Sequence, residues 1–471
     1  MVTHYNINKK SFLKNISERK LYCYGAGNMF LDFLRLYKDI NVVAVIDDNV
    51  KKIGKQGDVN GVSVISLDDF LEVYDGCQVI LITCYNYLEV VKHLNSIAQL
   101  NQLDCYVYYD IEAQIDEAGI CEPSGNRYQI TEFKLQDYTA GQKAPIDVAR
   151  IAAKLGYYAI TLHRGTVKSD GEQTKREWLR ICDCIPRDSI VLIQLPMSDQ
   201  TDGVYRFAKL KKEKNIKIIA VVHDLDILRY DETTDYFKKQ YDIINSVADL
   251  WIVHNDCMIN RMAQRGFDRK KLINLEIFDY LMPMGESVQV QQDEGIIIAG
   301  NLDANKSKYI YNLHEIKDVR FNLFGANYTE KNKYDNINYY GAFLPDELIE
   351  NLHGMFGLVW DGDSIETCSG GTGEYLRINA PHKLSLYLAA GLPIIIWDEA
   401  AEADFVRNEN LGVVVASLTE LPIVLDGISH EEYCAMKQNA MRIGTKLRKG
   451  EYMTRAIKKA EEVCTEIRCN S

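Results

Sequence analysis

Lys383 closes the run Asn379-Ala-Pro-His-Lys383, and its surroundings read as a helix start placed to meet an anion. Pro381 suits a first helical turn, where a missing N–H costs nothing. Leu384, Leu386, Leu388 and Ala389 give the following turns an apolar side. Gly391 fits a left-handed cap, and Pro393 stops any continuation before the apolar run 394–397. The unpaired N–H groups of such a start, helped by the helix dipole, attract negative charge. Lys383 adds a cation beside them, and a diphosphate is the anion that best suits the place. An ordinary helix–strand unit whose lysine faces solvent has the same spelling.

The elements that must position this turn form an alternating pattern. Strands are expected at 128–134, 158–163, 190–195, 216–222 and 250–253, with helices at 146–155, 173–185 and 203–214 between the earlier ones. Such alternation implies a parallel, doubly wound α/β sheet. Polar residues close several strands: His163, His223-Asp224 and His254-Asn255-Asp256. Ligands of open α/β sheets bind outside these carboxyl ends. A further set of strands, at 295–300, 320–324, 337–340, 356–360, 394–397 and 413–415, contains the Lys383 turn. Gly300-Asn301-Leu302 follows the first of them, with Lys306 and Lys308 just beyond. The segment 431–464 reads as helix and is expected to pack back on the preceding domain. The expected division is 1–115, 127–285 and 294–471.

The N-terminal part begins in a Rossmann-like way. A strand at 20–24 runs into Gly25-Ala-Gly27-Asn28, and the strand 42–46 ends at Asp47-Asp48. Gly25, Gly27 and Asp47 are the residues a nucleotide would use there. Phe30, however, stands where the third glycine of the fingerprint belongs. A packing or partner-docking module is the competing reading of 1–115. This part resembles small Rossmann modules, similar to nucleotide-sugar binders, that are appended to polysaccharide enzymes.

The wording from about residue 128 onward is more specific. Asn379-Ala-Pro-His-Lys383, with the Leu-Ser-Leu-Tyr-Leu-Ala-Ala-Gly-Leu-Pro that follows, resembles a group of bacterial GT-B sugar transferases. That group includes galactofuranosyltransferases of surface polysaccharides and glucosyltransferases of serine-rich adhesins. Ala140-Gly-Gln-Lys-Ala144, Trp251-Ile-Val-His-Asn-Asp256 and Gly357-Leu-Val-Trp-Asp-Gly362 point the same way, in the right order. The resemblance implies two facing Rossmann-like domains and a metal-independent site. The transfer it implies moves a hexose, galactofuranose first and glucose as the alternative, from a UDP-sugar to a glycan, glycolipid or glycoprotein hydroxyl, with inversion.

Breaking the sugar–diphosphate bond leaves charge on the diphosphate, which helix N-termini and cations can stabilise without a metal. The donor-side candidates are therefore Gly300, Asn301, Lys306, Asp361, Asn379, Pro381, His382, Lys383 and Ser385. Asp361-Gly-Asp363 is the nearest spelling of a metal-binding pair, and it reads more readily as a polar turn. The acceptor hydroxyl needs a base, for which His223 and Asp224 are best placed, with His163 and His254 as rivals. Gly141, Lys143 and Asn255 complete the acceptor-side candidates; in this transferase group the loop matching Gly141 and Lys143 lies against the cleft. No cofactor is expected beyond the donor substrate.

Composition excludes several other classes. The 471 residues carry 54 basic and 67 acidic side chains, a net −13 that argues against a general nucleic-acid binder. No run approaches the ~20 apolar residues of a membrane span. The first ten residues lack an apolar signal core, so a cytoplasmic protein is expected. Peripheral attachment at the inner membrane face and a homo-oligomer are both compatible with the sequence. Twelve scattered cysteines show no paired metal-ligand spacing and are expected to be reduced. A nicotinamide oxidoreductase would use the Gly25-Ala-Gly27 turn but leave the Gly300 and Lys383 elements without purpose. A non-catalytic partner of another transferase would not need an intact Asn379–Lys383 turn.

Overall fold

A computed structural model describes residues 1–4, 9–49, 58–84, 86–108, 125–132, 143–162, 178, 181–182, 184–197, 202–229, 242, 245–282, 293–329 and 333–469. The chain divides into two compact units, residues 1–135 with 156–187 and residues 136–155 with 188–471.

The first unit holds a seven-stranded sheet of β1 (Val2–His4), β2 (Lys20–Tyr24), β3 (Val42–Ile46), β4 (Asp58–Val59), β5 (Val62–Ile65), β6 (Gln78–Ile82) and β7 (Asp104–Val107). Its order is β1-β7-β6-β2-β3-β5-β4. All pairs are parallel except β4 with β5. β6 is buried along its whole length, as expected of a central strand covered on both faces. Asn60 and Gly61, with φ of 54° and 81°, close the β4–β5 hairpin, the backbone such a tight turn demands. β8 (Arg127–Thr131) and β9 (Tyr158–Thr161), also in this unit, pair in parallel.

The second unit contains two parallel sheets. One carries β10 (Ile190–Leu195), β11 (Lys217–Val222), β12 (Leu250–Val253) and β13 (Leu272–Asn274), in the order β13-β12-β11-β10. The other runs β16 (Ile337–Tyr339), β15 (Phe321–Phe324), β14 (Ile296–Ala299), β17 (Phe356–Val359), β18 (Ile394–Trp397) and β19 (Gly412–Val415). Neighbours in this second sheet are parallel throughout. Strand order reverses at β14, which is a topological switch point.

Three details differ from the expectations. Pro381 is the N-cap of the helix His382–Ala389 rather than a residue of its first turn, with φ −71° and ψ 135°. The helix expected from 146 starts at Lys143, so this residue belongs to a first turn and not to a loop. The expected long C-terminal helix is two helices, His430–Lys449 and Glu451–Cys469, separated at Gly450 with φ 78°. The second of these packs on β12, β13 and the helix Lys143–Lys154. Most of the helix expected at 173–185 lies outside the described residues. Among the described residues, no helix is long and apolar enough to cross a membrane.

Candidate active site

Parallel strands present all their carboxyl ends on one side. In the second unit the ends of β11, β12, β14, β15 and β17 and the 379–383 turn border a cavity of about 410 Å³. His223, Asp224, Gly300, Asn301, Lys306, Asp361, Asn379, Pro381, His382, Lys383 and Lys143 all line it. Residues far apart in sequence therefore share one cavity.

One end of the cavity is cationic. Lys383 Nζ donates to Asp361 Oδ1 at 2.8 Å and to the Trp360 carbonyl at 2.9 Å. This holds the ammonium at the helix start instead of in solvent. Lys306 faces the same cluster; burial pushes its ammonium below the usual range, Asp361 opposing and Lys383 and Arg229 adding to the shift. No hydrogen bond to Lys306 Nζ is found among the described residues, while its carbonyl accepts from Thr372 Oγ1 at 3.2 Å. Arg229 pairs with Asp224 at 3.4 Å and lies over the Tyr375 ring.

Backbone approaches the same end closely. Gly300 has φ 140°, and a Cβ on Gly325, itself at φ 155°, would fall 1.7 Å from the Gly300 carbonyl oxygen. The loops after β14 and β15 can run side by side only because Gly325 is a glycine. Asp361 and Asp363 do not converge as a metal pair: Asp361 accepts from Lys383, and Asp363 sits against Gly370. Among the described residues no group of three or more His, Cys, Asp or Glu side chains is placed to hold a metal ion.

The other end is built on histidines around Phe278. His223 stacks on Phe278 at 5.3 Å, and His254 and His382 meet its edge at 5.0 and 6.3 Å. His223 Nε2–H donates to Gln194 Oε1 at 2.6 Å, an orientation fixed because Gln194 Nε2 donates to the Pro145 carbonyl. Its Nδ1 is then a lone pair with no partner among the described residues. Burial, with His254 and His382 nearby, pushes the His223 imidazole down to about 3, so it is neutral. His254 is fully used: Nε2–H donates to the Val222 carbonyl at 3.1 Å and Nδ1 accepts Ala380 N–H at 2.9 Å. That bond ties β12 to the 379–383 turn, which makes His254 a structural clamp.

The remaining candidates fall elsewhere. Ser385 is buried in its helix and does not line the cavity. Asn255 caps the helix Asp256–Gln264 through Met258 N–H and donates to Glu402 Oε1 at 2.8 Å, away from the cavity. Lys143 reaches the cavity wall, with its ammonium on Asp147 and the Leu281 carbonyl. Gly141 and His163 lie outside the described residues. In the first unit, Asp47 Oδ2 accepts Ala26 N–H at 2.8 Å, so a carboxylate occupies the glycine turn that a pyrophosphate would need. A Cβ on Gly25 would lie 2.8 Å from Cys84 Cβ, and nothing approaches the equivalent point on Gly27. Phe30, in the third-glycine position, is fully buried.

Sequence reasoning missed Arg229, Phe278, Tyr280, Gly325 and Tyr375. Only Gly325 left a signal: Phe324-Gly-Ala-Asn327 repeats the strand–glycine–asparagine spelling of Ala299-Gly-Asn301.

Glu402 yields a pH prediction. Burial lifts its carboxyl from 4.5 to about 8. A native pKa raised above the unfolded value contributes stability fully present below about 4.5 and lost as pH rises through about 8. Glu402→Gln removes this dependence but keeps an acceptor for Asn255. The stability of wild type relative to the variant should fall by about 1.4 kcal/mol per pH unit across that window and level off above it. Urea unfolding at several pH values checks this; parallel profiles would reject it.

Two family descriptions match the chain: the N-terminal domain of glucosyltransferase 3-like proteins over residues 127–277, and their C-terminal domain over 296–460. Beta-1,6-galactofuranosyltransferase WbbI of Escherichia coli (strain K12) is 32% identical over 350 residues, 72% of this chain and 99% of that protein. Glucosyltransferase 3 of Streptococcus gordonii is 24% identical over 66% of this chain and 91% of its own. A glycosyltransferase structure from Rickettsia africae ESF-5 aligns with a TM-score of 0.49 at 13% identity, covering 74% of this chain and 100% of its own. The fold is α/β of the GT-B type, two parallel sheets bordering one cavity, and the chain belongs to the glucosyltransferase 3-like family of glycosyltransferases.

Proposed function

We propose that the chain transfers a hexose, galactofuranose, from a UDP-sugar to a hydroxyl of a cell-surface glycan, glycolipid or glycoprotein, with inversion and without a divalent metal. The carrying observation is the cationic end of the cavity, where Lys383, Lys306 and Arg229 gather beside a helix start and two glycine turns. Galactofuranose is favoured by the 32% identical relative, and glucose is the alternative because the streptococcal relatives carry that name. Residues 127–285 take the acceptor side, and 294–471 take the nucleotide sugar. The 1–115 module is left outside the chemistry. The work takes place in the cytoplasm, and a lipid-linked acceptor would bring it to the inner membrane face.

In this reading the acceptor oxygen attacks the anomeric carbon as its bond to the diphosphate oxygen breaks. UDP leaves with the bonding pair, and the attacking hydroxyl's proton goes to His223 Nδ1 or to Asp224. His223 offers a bare lone pair on a ring held by Gln194 and Phe278, while the burial that makes its imidazole a weak base leaves Asp224 as the competing acceptor of the proton. Asp224 is restrained by Arg229. UDP release measured with UDP-galactofuranose, UDP-galactose and UDP-glucose, with and without EDTA, tests the proposal. Turnover should be fastest with UDP-galactofuranose and indifferent to EDTA. Activity abolished by EDTA and restored by manganese would reject the metal-free site and direct attention to Asp361 and Asp363.

A further inference from the structure

Asn379 and His382 line the cavity, and each carries a buried side-chain atom with no protein partner among the described residues, Asn379 Oδ1 and His382 Nε2. His382 stacks on Tyr280 at 5.2 Å, and the Asp279 backbone lies beside its ring. With the ring hydrogen on Nδ1, Nε2 carries a lone pair that no protein group uses among the described residues. Burial, with Lys143 close by, pushes its imidazole down to about 3, so the lone pair persists at neutral pH. A buried acceptor left unpaired is costly, and a bound donor group would recover that cost.

Diphosphate oxygens are acceptors and cannot serve these atoms, whereas hydroxyl groups can. Three parts of a UDP-sugar carry donors: the uracil, the ribose and the transferred sugar. Position decides among them. Asn379 and His382 belong to the same turn as the phosphate-side Lys383, and His382 shares the Phe278 ring with the base candidate His223. In a displacement at the anomeric carbon, the sugar must lie between the leaving phosphate and the attacking oxygen. Uracil and ribose lie beyond the diphosphate on its other side.

We infer that Asn379 and His382 form a hydroxyl-reading subsite, accepting hydrogen bonds from the transferred sugar and setting which sugar the enzyme uses. This rests on the proposed transfer from a UDP-sugar and adds the place of the sugar within the cavity. The 379–383 turn thus has two roles, with Lys383 holding phosphate and its neighbours reading hydroxyls.

The test is a binding cycle by titration calorimetry on the full-length protein. The probes are UDP, UDP-galactofuranose, UDP-glucose and their singly deoxygenated sugars. The variants are His382→Phe, which keeps a flat ring against Tyr280, and Asn379→Ala. UDP affinity should stay within about twofold, while the preferred UDP-sugar weakens by about tenfold or more in each variant. At least one deoxy-sugar should lose a similar factor in wild type and lose nothing more in the matching variant, the signature of one shared contact. Equal losses for UDP and UDP-sugar would assign the atoms to ribose or uracil and overturn the inference. Variants that keep the full preference would also overturn it. Should a variant not fold, the deoxy series on wild type decides alone, since indifference to every missing hydroxyl rejects a hydroxyl reader. A wild type that binds none of the UDP-sugars overturns the proposed function together with the subsite. A wild type that binds and turns them over while the variants behave normally overturns the subsite only.

Discussion

Lys383→Ala is expected to lower kcat by roughly ~10²–10³, the scale of removing one charge-stabilising donor from a prepared site. The ammonium sits between the Trp360 carbonyl and Asp361, 17% exposed, so its place is fixed before any ligand arrives. Asp361 offsets part of its charge in the resting site. In the proposed transfer, negative charge grows beside the helix start as the diphosphate departs, which would make the interaction stronger in the transition state than with bound donor. An interaction of that kind is lost mainly from kcat, with a smaller loss in donor binding. Removing the lysine also leaves Asp361 without its cation, so thermal unfolding should be followed in parallel. A variant with unchanged turnover rejects the phosphate role. A variant that loses activity only in proportion to lost folded protein rejects it as well.

What the sequence showed and what it hid can be separated by range. The 379–383 turn was legible, one position aside for Pro381, because its signals are local: a proline at the helix start, an apolar helical side, a glycine with φ 72° at 391. The parallel sheets were legible from alternation for the same reason. Arg229 was not legible, since its importance comes from packing against Tyr375, 146 residues on in the chain (375 − 229), where no periodicity links the two. Phe278 and Tyr280 are buried aromatics with nothing in their spelling to mark them; their neighbours, three histidines, make them walls of the cavity. Part of the family wording also turns out to encode packing. A Cβ on Gly357 would fall 2.1 Å from Tyr387 Cγ, and one on Gly362 would fall 2.0 Å from the Ser369 carbonyl oxygen. Tyr387 in turn accepts Ala299 N–H at 2.8 Å, fixing the Lys383 helix to the strand that carries Gly300. Gly444 lets the helix His430–Lys449 meet the Leu388 carbonyl, a point where a Cβ would fall at 2.0 Å. These residues carry no chemistry themselves, yet without them the Gly300 turn and the 379–383 turn would not share a cavity.

Asp147→Ala should be the most destabilising single change near the site. Asp147 Oδ1 accepts from Lys143 Nζ at 2.8 Å, and Oδ2 accepts Leu281 N–H at 2.9 Å. Lys143 also donates to the Leu281 carbonyl at 2.7 Å, and the two side chains are only 3% and 1% exposed. The alanine strands an ammonium and a backbone N–H in the interior, which costs about 3–5 kcal/mol. For a domain of this size, about 2–4 °C of Tm accompanies each kcal/mol, so a loss of roughly 6–20 °C is expected. Replacing both partners, Lys143→Met with Asp147→Leu, removes both charges and should recover much of it, because a buried ion pair contributes little over a well-packed apolar pair. An Asp147→Ala protein melting within about two degrees of wild type would reject this account. The double variant also separates packing from chemistry. Lys143 lies 4.9 Å from the centre of the Tyr280 ring, and that ring stacks on His382. If the pair only braces residues 279–281, restored stability brings restored turnover. A stable double variant with kcat still depressed would instead give the Lys143 charge a part in holding donor or acceptor, the role expected of it from the sequence.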